Sequence, residues 1–325
     1  MTRYLIRRVL YAVPILIGVN LITFVLFFIV NPPDDMARIH LGIKRVTPAA
    51  IENWKHERGY DKPMLWNADA PRAAKLTDTI FFEKSVTLFA FEFGQADDGR
   101  DIGYDIGQRM WPSLAIQIPV FLIGIVLYVT FALTLAFFRG TYLDLWGVVV
   151  CVILLSTSSL FYVIGGQYLI GKLLNLTPIS GYDTGLPAVK FLILPVLVGV
   201  ASGIGGSTRL YRTIFLEEMG KDYMRTARAK GLSDVSVLFK HGLKNALIPI
   251  LTGVVVIIPS LFLGSLILES FFGVPGLGSY TIDGIRSQDF AIVRAMVFLG
   301  SVLYIAGLIL TDVSYTLVDP RVRLE

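Results

Sequence analysis

Few residues in this 325-residue chain could do chemistry, and they are scattered. The three histidines, His40, His56 and His241, lie far apart, and Cys151 sits alone inside an apolar run. Neither a metal cluster nor an intrachain disulfide is expected from that distribution. No Gly-x4-Gly-Lys-Ser/Thr phosphate loop occurs, because neither Gly171-Lys172 nor Gly220-Lys221 is followed by a hydroxyl residue. The conspicuous feature is a group of cations within residues 209–245: Arg209, Arg212, Lys221, Arg225, Arg228, Lys230, Lys240 and Lys244. Their placement does not call for nucleic acid as a partner. Two acidic positions also stand out. Glu269 precedes the turn Pro275-Gly276-Leu277-Gly278, where it could anchor the turn or belong to a gate, and Asp312 lies seven residues before Asp319.

The elements that position these residues follow from hydropathy. The chain is 54% apolar and 17% charged, against roughly 25% charged for a soluble protein, and its mean hydropathy is +0.66. Six windows carry no Asp, Glu, Lys, Arg or His: 9–30, 114–138, 145–170, 191–208, 246–268 and 295–311. Each is close to the roughly 20 residues that cross a bilayer as helix. A soluble enzyme, a disordered chain and a disulfide scaffold are excluded, and an all-α membrane protein of six transmembrane helices is expected. If the N-terminus is inside, the inner segments hold 14 Lys and Arg and the two short outer loops hold four. That asymmetry predicts both termini in the cytoplasm.

The organisation predicted is residues 1–30 as N-terminal segment and helix 1, residues 31–113 as an extracytoplasmic insertion, and residues 114–325 as a five-helix core. Helix 1 is read as retained rather than cleaved, since no small-x-small site precedes Asn31. Within the insertion, residues 48–59 read as a helix begun at Thr47 and stopped at Gly59. Residues 81–93 fit strand or interfacial helix. The insertion has few core positions and is expected to rest on the outer ends of the helices. Gly199-x-x-x-Gly203, with Gly205 and Gly206, suits close helix approach, within the subunit or between subunits.

Residues 209–245 read as two helices around Gly231. Leu216, Met219, Tyr223 and Ala227 fall on one face of the first, and Glu217, Lys221, Arg225 and Arg228 on another. Gly231 after Lys230 fits a left-handed C-terminal cap, and Ser233 can cap the second helix, where Val235, Leu238, Phe239 and Gly242 make a stripe. Such a loop could lie on anionic membrane lipid, dock in another protein's groove, or simply be solvated.

The segment from Asp222 through Tyr-Met-Arg-Thr-Ala-Arg-Ala-Lys to Gly231-Leu232, followed by His241-Gly-Leu-Lys-Asn-Ala-Leu-Ile-Pro249, resembles the coupling loop of binding-protein-dependent ABC importer permeases. More narrowly it resembles the dipeptide/oligopeptide/nickel family. Arg225-Thr226-Ala227 stands where the general motif has Glu-Ala-Ala, a departure that looks like the peptide branch. Tyr4-Leu-Ile-Arg-Arg8, Gly59-Tyr-Asp-Lys-Pro63, the run from Glu269 to Gly278, and Asp319-Pro-Arg321 extend the likeness along nearly the whole chain. The long first outer loop looks like the first of two permease subunits, and Tyr315-Thr-Leu-Val-Asp-Pro-Arg321 leans toward the microcin C-type branch.

The resemblance implies a type I ABC importer permease-like fold with no catalytic residue and no cofactor of its own, ATP and Mg being bound by partner subunits. The implied partners are a second homologous permease, two cytoplasmic ABC ATPase subunits and an extracytoplasmic peptide-binding protein, in the cytoplasmic membrane. Asp222, Arg225, Thr226, Ala227, Arg228, Gly231 and Leu232 would carry ATPase docking, and Glu269, Pro275, Gly276 and Gly278 are outer-gate candidates. Short peptides are the implied substrate, with nickel or a microcin-like compound open. An ATP-independent transporter or channel, or a sensor with an outer ligand domain, remains a rival from another class. The absence of acidic or histidine residues inside the spans counts against ion coupling.

Overall fold

A computed structural model describes residues 2–42, 46–72 and 74–318. Asp319 and Arg321 lie outside the described residues. The described chain is helical, and no strand occurs among the described residues beyond an isolated bridge between Gln95 and Asp101. In chain order the helices are α1 (Thr2–Phe24), α2 (Pro33–Leu41), α3 (Pro48–Arg58), α4 (Ile102–Phe137), α5 (Tyr142–Ser156), α6 (Ser159–Gly166) and α7 (Ala188–Met219). They continue as α8 (Asp222–Ala229), α9 (Asp234–Val237), α10 (Lys244–Val255), α11 (Leu266–Phe272), α12 (Leu277–Ser287) and α13 (Phe290–Val318).

Among the described residues four helices are long and apolar enough to cross a membrane, or up to six spans if two bent pairs each count as one. The window 145–170 is not one straight span. It breaks between α5 and α6, which meet at 92°. The cause is the polar run Ser156-Thr157-Ser158-Ser159. Ser156 and Thr157 turn their hydroxyls back onto Val152 and Ile153 carbonyls at 2.8 and 2.9 Å, and Ser158 caps α6 by accepting from the Leu160 N–H. Hydroxyls that compete for the backbone end helices in this way. The window 246–268 also breaks, by 44°. There a 3₁₀ turn over Ile258–Leu263 opens at Pro259, and Gly264 takes φ +71° before Ser265 caps α11.

Two spans run well beyond their uncharged windows. The 36 residues of α4 make a rod of about 54 Å, and the 32 residues of α7 one of about 48 Å. Both exceed a hydrocarbon core of roughly 30 Å. The charged residues Asp105 and Arg109 therefore belong to α4, and Arg209, Arg212 and Glu218 to α7.

The chain divides into two compact units. One comprises residues 1–108 and 280–305. Its core joins the end of α1 to the insertion through Phe24, Phe28, Met36, Ile51, Trp54, Tyr60 and Ile80. The helix expected over 48–59 forms as read. The Thr47 side chain accepts from the Ala50 N–H at 3.3 Å, and Gly59 closes the helix at φ +67°. Residues 81–93 are neither strand nor regular helix: a π turn over Phe82–Val86 passes into a 3₁₀ turn over Thr87–Ala90.

The second unit comprises residues 109–279 and 306–325. The small residues of α7 are spent inside this subunit. A Cβ on Gly205 would sit 2.6 Å from the Cys151 carbonyl and the Leu155 nitrogen, so α5 and α7 touch backbone to backbone there. Gly199 lies against Val120 and Leu268, and Gly203 accommodates Tyr128, whose hydroxyl donates to the Val200 carbonyl at 2.7 Å. Cys151 is a buried packing residue in this contact. The same two helices are also joined by a two-pronged ion pair, Arg212 donating to both Asp144 oxygens at 2.8 Å.

Candidate functional site

The cationic loop is a hairpin of two short helices at the end of α7. The expected first helix does not run unbroken from Leu216 to Ala227. It stops at Met219, Gly220 and Lys221 make a corner, and α8 starts at Asp222. Glu218 spans the corner. It is ion-paired with Lys221 and accepts from the Tyr223 hydroxyl at 2.7 Å. Burial, followed by the carboxylate of Glu218, pushes the Tyr223 phenol up to about 12.

Within α8 the faces are sharply divided. Met224 and Ala227 are buried and meet Val237 from α9, with Met219 and Tyr223 at the edge. Arg225 and Asp222 point outward with side chains 75% and 95% exposed, 3.6 Å apart. Thr226 is also exposed, its hydroxyl donating to the Asp222 carbonyl at 3.0 Å. Arg228 reaches across the turn to Asp234 at 3.2 Å. Gly231 holds φ +81° and its N–H donates to the Arg228 carbonyl at 2.9 Å, the left-handed cap read from the sequence. Ser233 caps α9 by accepting from the Ser236 N–H.

Of the seven residues expected to dock, six are thus on the surface: Asp222, Arg225, Thr226, Arg228, Gly231 and Leu232. Ala227 faces inward and supports the hairpin's shape. The stripe expected on the second helix is also divided. Leu238 and Gly242 are buried, whereas Val235 and Phe239 are more than half exposed. Val237, in α9 just before a π turn over Leu238–Leu243, takes the inward place against Met224 and Ala227. A cleft of about 320 Å³ separates the hairpin from the end of α4, lined by Arg139, Met224, Arg228 and Asp234 among others.

The second predicted group is built on different elements. Glu269, in α11, is fully buried and lies in a cradle of three glycines. Its carboxylate accepts from the Ser265 N–H at 3.0 Å and the Ser279 N–H at 3.1 Å. Ser113, 164 residues earlier on α4, hydrogen-bonds the same carboxylate and accepts from the Leu277 N–H at 2.8 Å. A Cβ on Gly264 or Gly276 would collide with the Glu269 carboxylate, and one on Gly278 would strike the Ser265 carbonyl at 2.6 Å. Glu269 therefore fastens the Pro275–Gly278 turn, with Gly276 and Gly278 buried and Pro275 exposed.

Sequence reasoning missed Ser113, Glu218 as the corner brace, and the Asp144–Arg212 pair. Nothing in local spacing marks partners so far apart. Among the described residues no cluster of three or more His, Cys, Asp or Glu could hold a metal.

Comparison with known proteins agrees with this geometry. Residues 115–324 match the family described as binding-protein-dependent transport system inner membrane component, and residues 1–69 match its N-terminal companion. A Brucella abortus protein, provisionally named a peptide transport system permease, is 30% identical, and the match covers 100% of both chains. A dipeptide transport system permease protein of Lactococcus lactis is 30% identical, also with 100% of both covered. An oligopeptide transport system permease protein of Bacillus subtilis is 27% identical over 99% of this chain and 100% of its own. This chain is a membrane-embedded transport subunit that belongs to the binding-protein-dependent transport system inner membrane component family.

Proposed function

We propose that this chain is a permease subunit of an ATP-driven importer of short peptides. It lies in the cytoplasmic membrane with both termini inside and forms half of the translocation path beside a second, homologous permease. Two cytoplasmic ATPase subunits bind ATP and Mg, and an extracytoplasmic binding protein delivers the peptide. The full-length likeness to dipeptide and oligopeptide permeases supports the substrate class.

The observation that carries the reading is the hairpin after α7. Met224, Ala227 and Val237 close on one another, and the outer face carries exposed cations beside exposed Leu232, Val235 and Phe239 and is free to dock. The Glu218 brace makes the hairpin an extension of a membrane rod. A push on α8 is then transmitted along α7, and α5 follows through Gly205 and the Asp144–Arg212 pair. Closure of the two ATPases on ATP would swing this body as a unit. On the other side, the turn fastened by Glu269, with Pro275, Gly276 and Gly278, forms part of an outer gate.

The test is peptide-stimulated ATP hydrolysis by the reconstituted importer. Arg225→Glu reverses an outward cation without touching the hairpin core, whereas Arg228→Glu also breaks the pair with Asp234 across the turn. Loss of stimulation and uptake with assembly of the permease pair intact is the expected result. Unchanged turnover and uptake would move the docking site elsewhere and reopen a lipid-facing or solvated role for the loop.

A further inference from the structure

The first unit holds a second charged site that the transport reading does not use. Arg294, near the start of α13, is 3% exposed. A guanidinium stays protonated even there, and an unanswered buried charge is costly. Its neighbours satisfy only part of it. The Phe28 ring lies 5.3 Å from Cζ, and the Tyr60 hydroxyl takes one hydrogen bond. Nε and Nη1 are buried with no acceptor.

Arg294 lines a cavity of about 570 Å³. Lys84 lines it as well, its ammonium 5.5 Å from the Tyr60 ring and in no ion pair among the described residues. The other charges around the cavity are mostly answered already. Arg58 holds Asp97 at 2.7 Å with Glu57 at 3.8 Å, and Glu83 is paired with Lys62. Glu92 stands exposed at the rim. Arg294 and Lys84, neither in an ion pair among the described residues, thus line one cavity, with the carboxylates of Asp289 and Glu83 near enough to act on them but not to pair. Burial and then the charge of Arg294 hold the Lys84 ammonium below its ordinary value. An anion placed between them relieves both penalties.

We propose that this cavity binds an oxyanion, a carboxylate or phosphate group, drawn by the incompletely satisfied guanidinium of Arg294 with Lys84 as the second cation. Such a group offers a planar or tetrahedral oxygen pair, which a guanidinium takes two at a time once a donor edge turns to it. The volume is many times the roughly 30 Å³ of a water, so the oxyanion can be one end of a larger molecule. The bearer can be a soluble anion or an anionic lipid headgroup, and the experiment separates them.

The full chain is placed in nanodiscs of zwitterionic lipid and titrated with sodium acetate or inorganic phosphate against chloride at fixed ionic strength. Saturable binding by calorimetry is expected, weakened at least about tenfold by Lys84→Met, as loss of one charged hydrogen bond implies, and abolished by Arg294→Leu. If Arg294→Leu does not fold, Lys84→Met alone carries the test. In a parallel arm, nanodiscs containing phosphatidylglycerol replace the soluble anion. A rise in melting temperature there, lost in Lys84→Met, with no response to soluble anions, assigns the headgroup as the bearer. No saturable response in either arm, or a response that Lys84→Met leaves unchanged, overturns the proposal and makes the cavity a hydrated structural void.

Discussion

Replacing Gly231 separates a backbone role from a contact role. The turn between α8 and α9 holds this residue at φ +81°, and a Cβ there would meet nothing within 4 Å. The penalty for any L side chain is therefore conformational, about 1–2 kcal/mol, and independent of size. Asn, which tolerates left-handed backbone, should lose least. With 1.4 kcal/mol equal to tenfold, the closed turn loses about 5- to 30-fold in population relative to its open alternatives. That factor is the ceiling on lost affinity if only the closed hairpin docks. The assay is titration of purified ATPase subunit onto the reconstituted permease pair, with Gly231→Ala, Gly231→Leu and Gly231→Asn. Equal weakening by Ala and Leu, within that ceiling and with Asn milder, is expected. A loss that grows with side-chain volume would refute the reasoning and make Gly231 a point of direct contact. No loss in any variant would remove the shape of the hairpin from docking altogether.

Two other outcomes follow from the geometry. Gly276→Ala drives a methyl into the Glu269 carboxylate and to within 2.5 Å of Ser113 Oγ, so it should destabilise the chain by about 1–3 kcal/mol, as overpacking does. A melt of the purified protein with no shift would place the turn elsewhere. The Tyr223 phenol, raised by burial and by Glu218 to about 12, keeps its proton in the folded hairpin after the unfolded chain has lost it. Its contribution to stability is complete below about pH 10, the ordinary tyrosine value, and falls away as pH rises through about 12. The ultraviolet difference titration between wild type and Tyr223→Phe should show that late phenol, and a step near pH 10 would contradict it.

What the sequence made legible was local. Thr47, Gly59, Gly231 and Ser233 announced their caps because a cap is a contract between residues three or four apart. The uncharged windows announced the spans because each needs only composition. Breaks inside those windows were hidden, since the run Ser156–Ser159 carries no charge and leaves hydropathy high. The corner at Gly220 was hidden because the helical spacing of Leu216, Met219 and Tyr223 continues across it. The candidate hairpin was readable in outline, but its inward residue Met224 was not, nor the brace of Glu218 behind it. Ser113 with Glu269, and Asp144 with Arg212, join residues too distant in sequence for any periodicity to connect. Nothing in the spacing around Arg294 set it apart, because burial is a property of the fold.

The right-angle break after Ser156 bears on what must surround the chain. Thr157 has extended backbone and Ser158 and Ser159 are exposed on this subunit, in the middle of an uncharged window. Carbonyls and N–H groups released from a helix cannot be left facing acyl chains, because lipid offers them no hydrogen bond. That stretch of surface must be wetted by an aqueous path or sheathed by another protein. The break is thus a solvation deficit, one that a bilayer alone cannot fill.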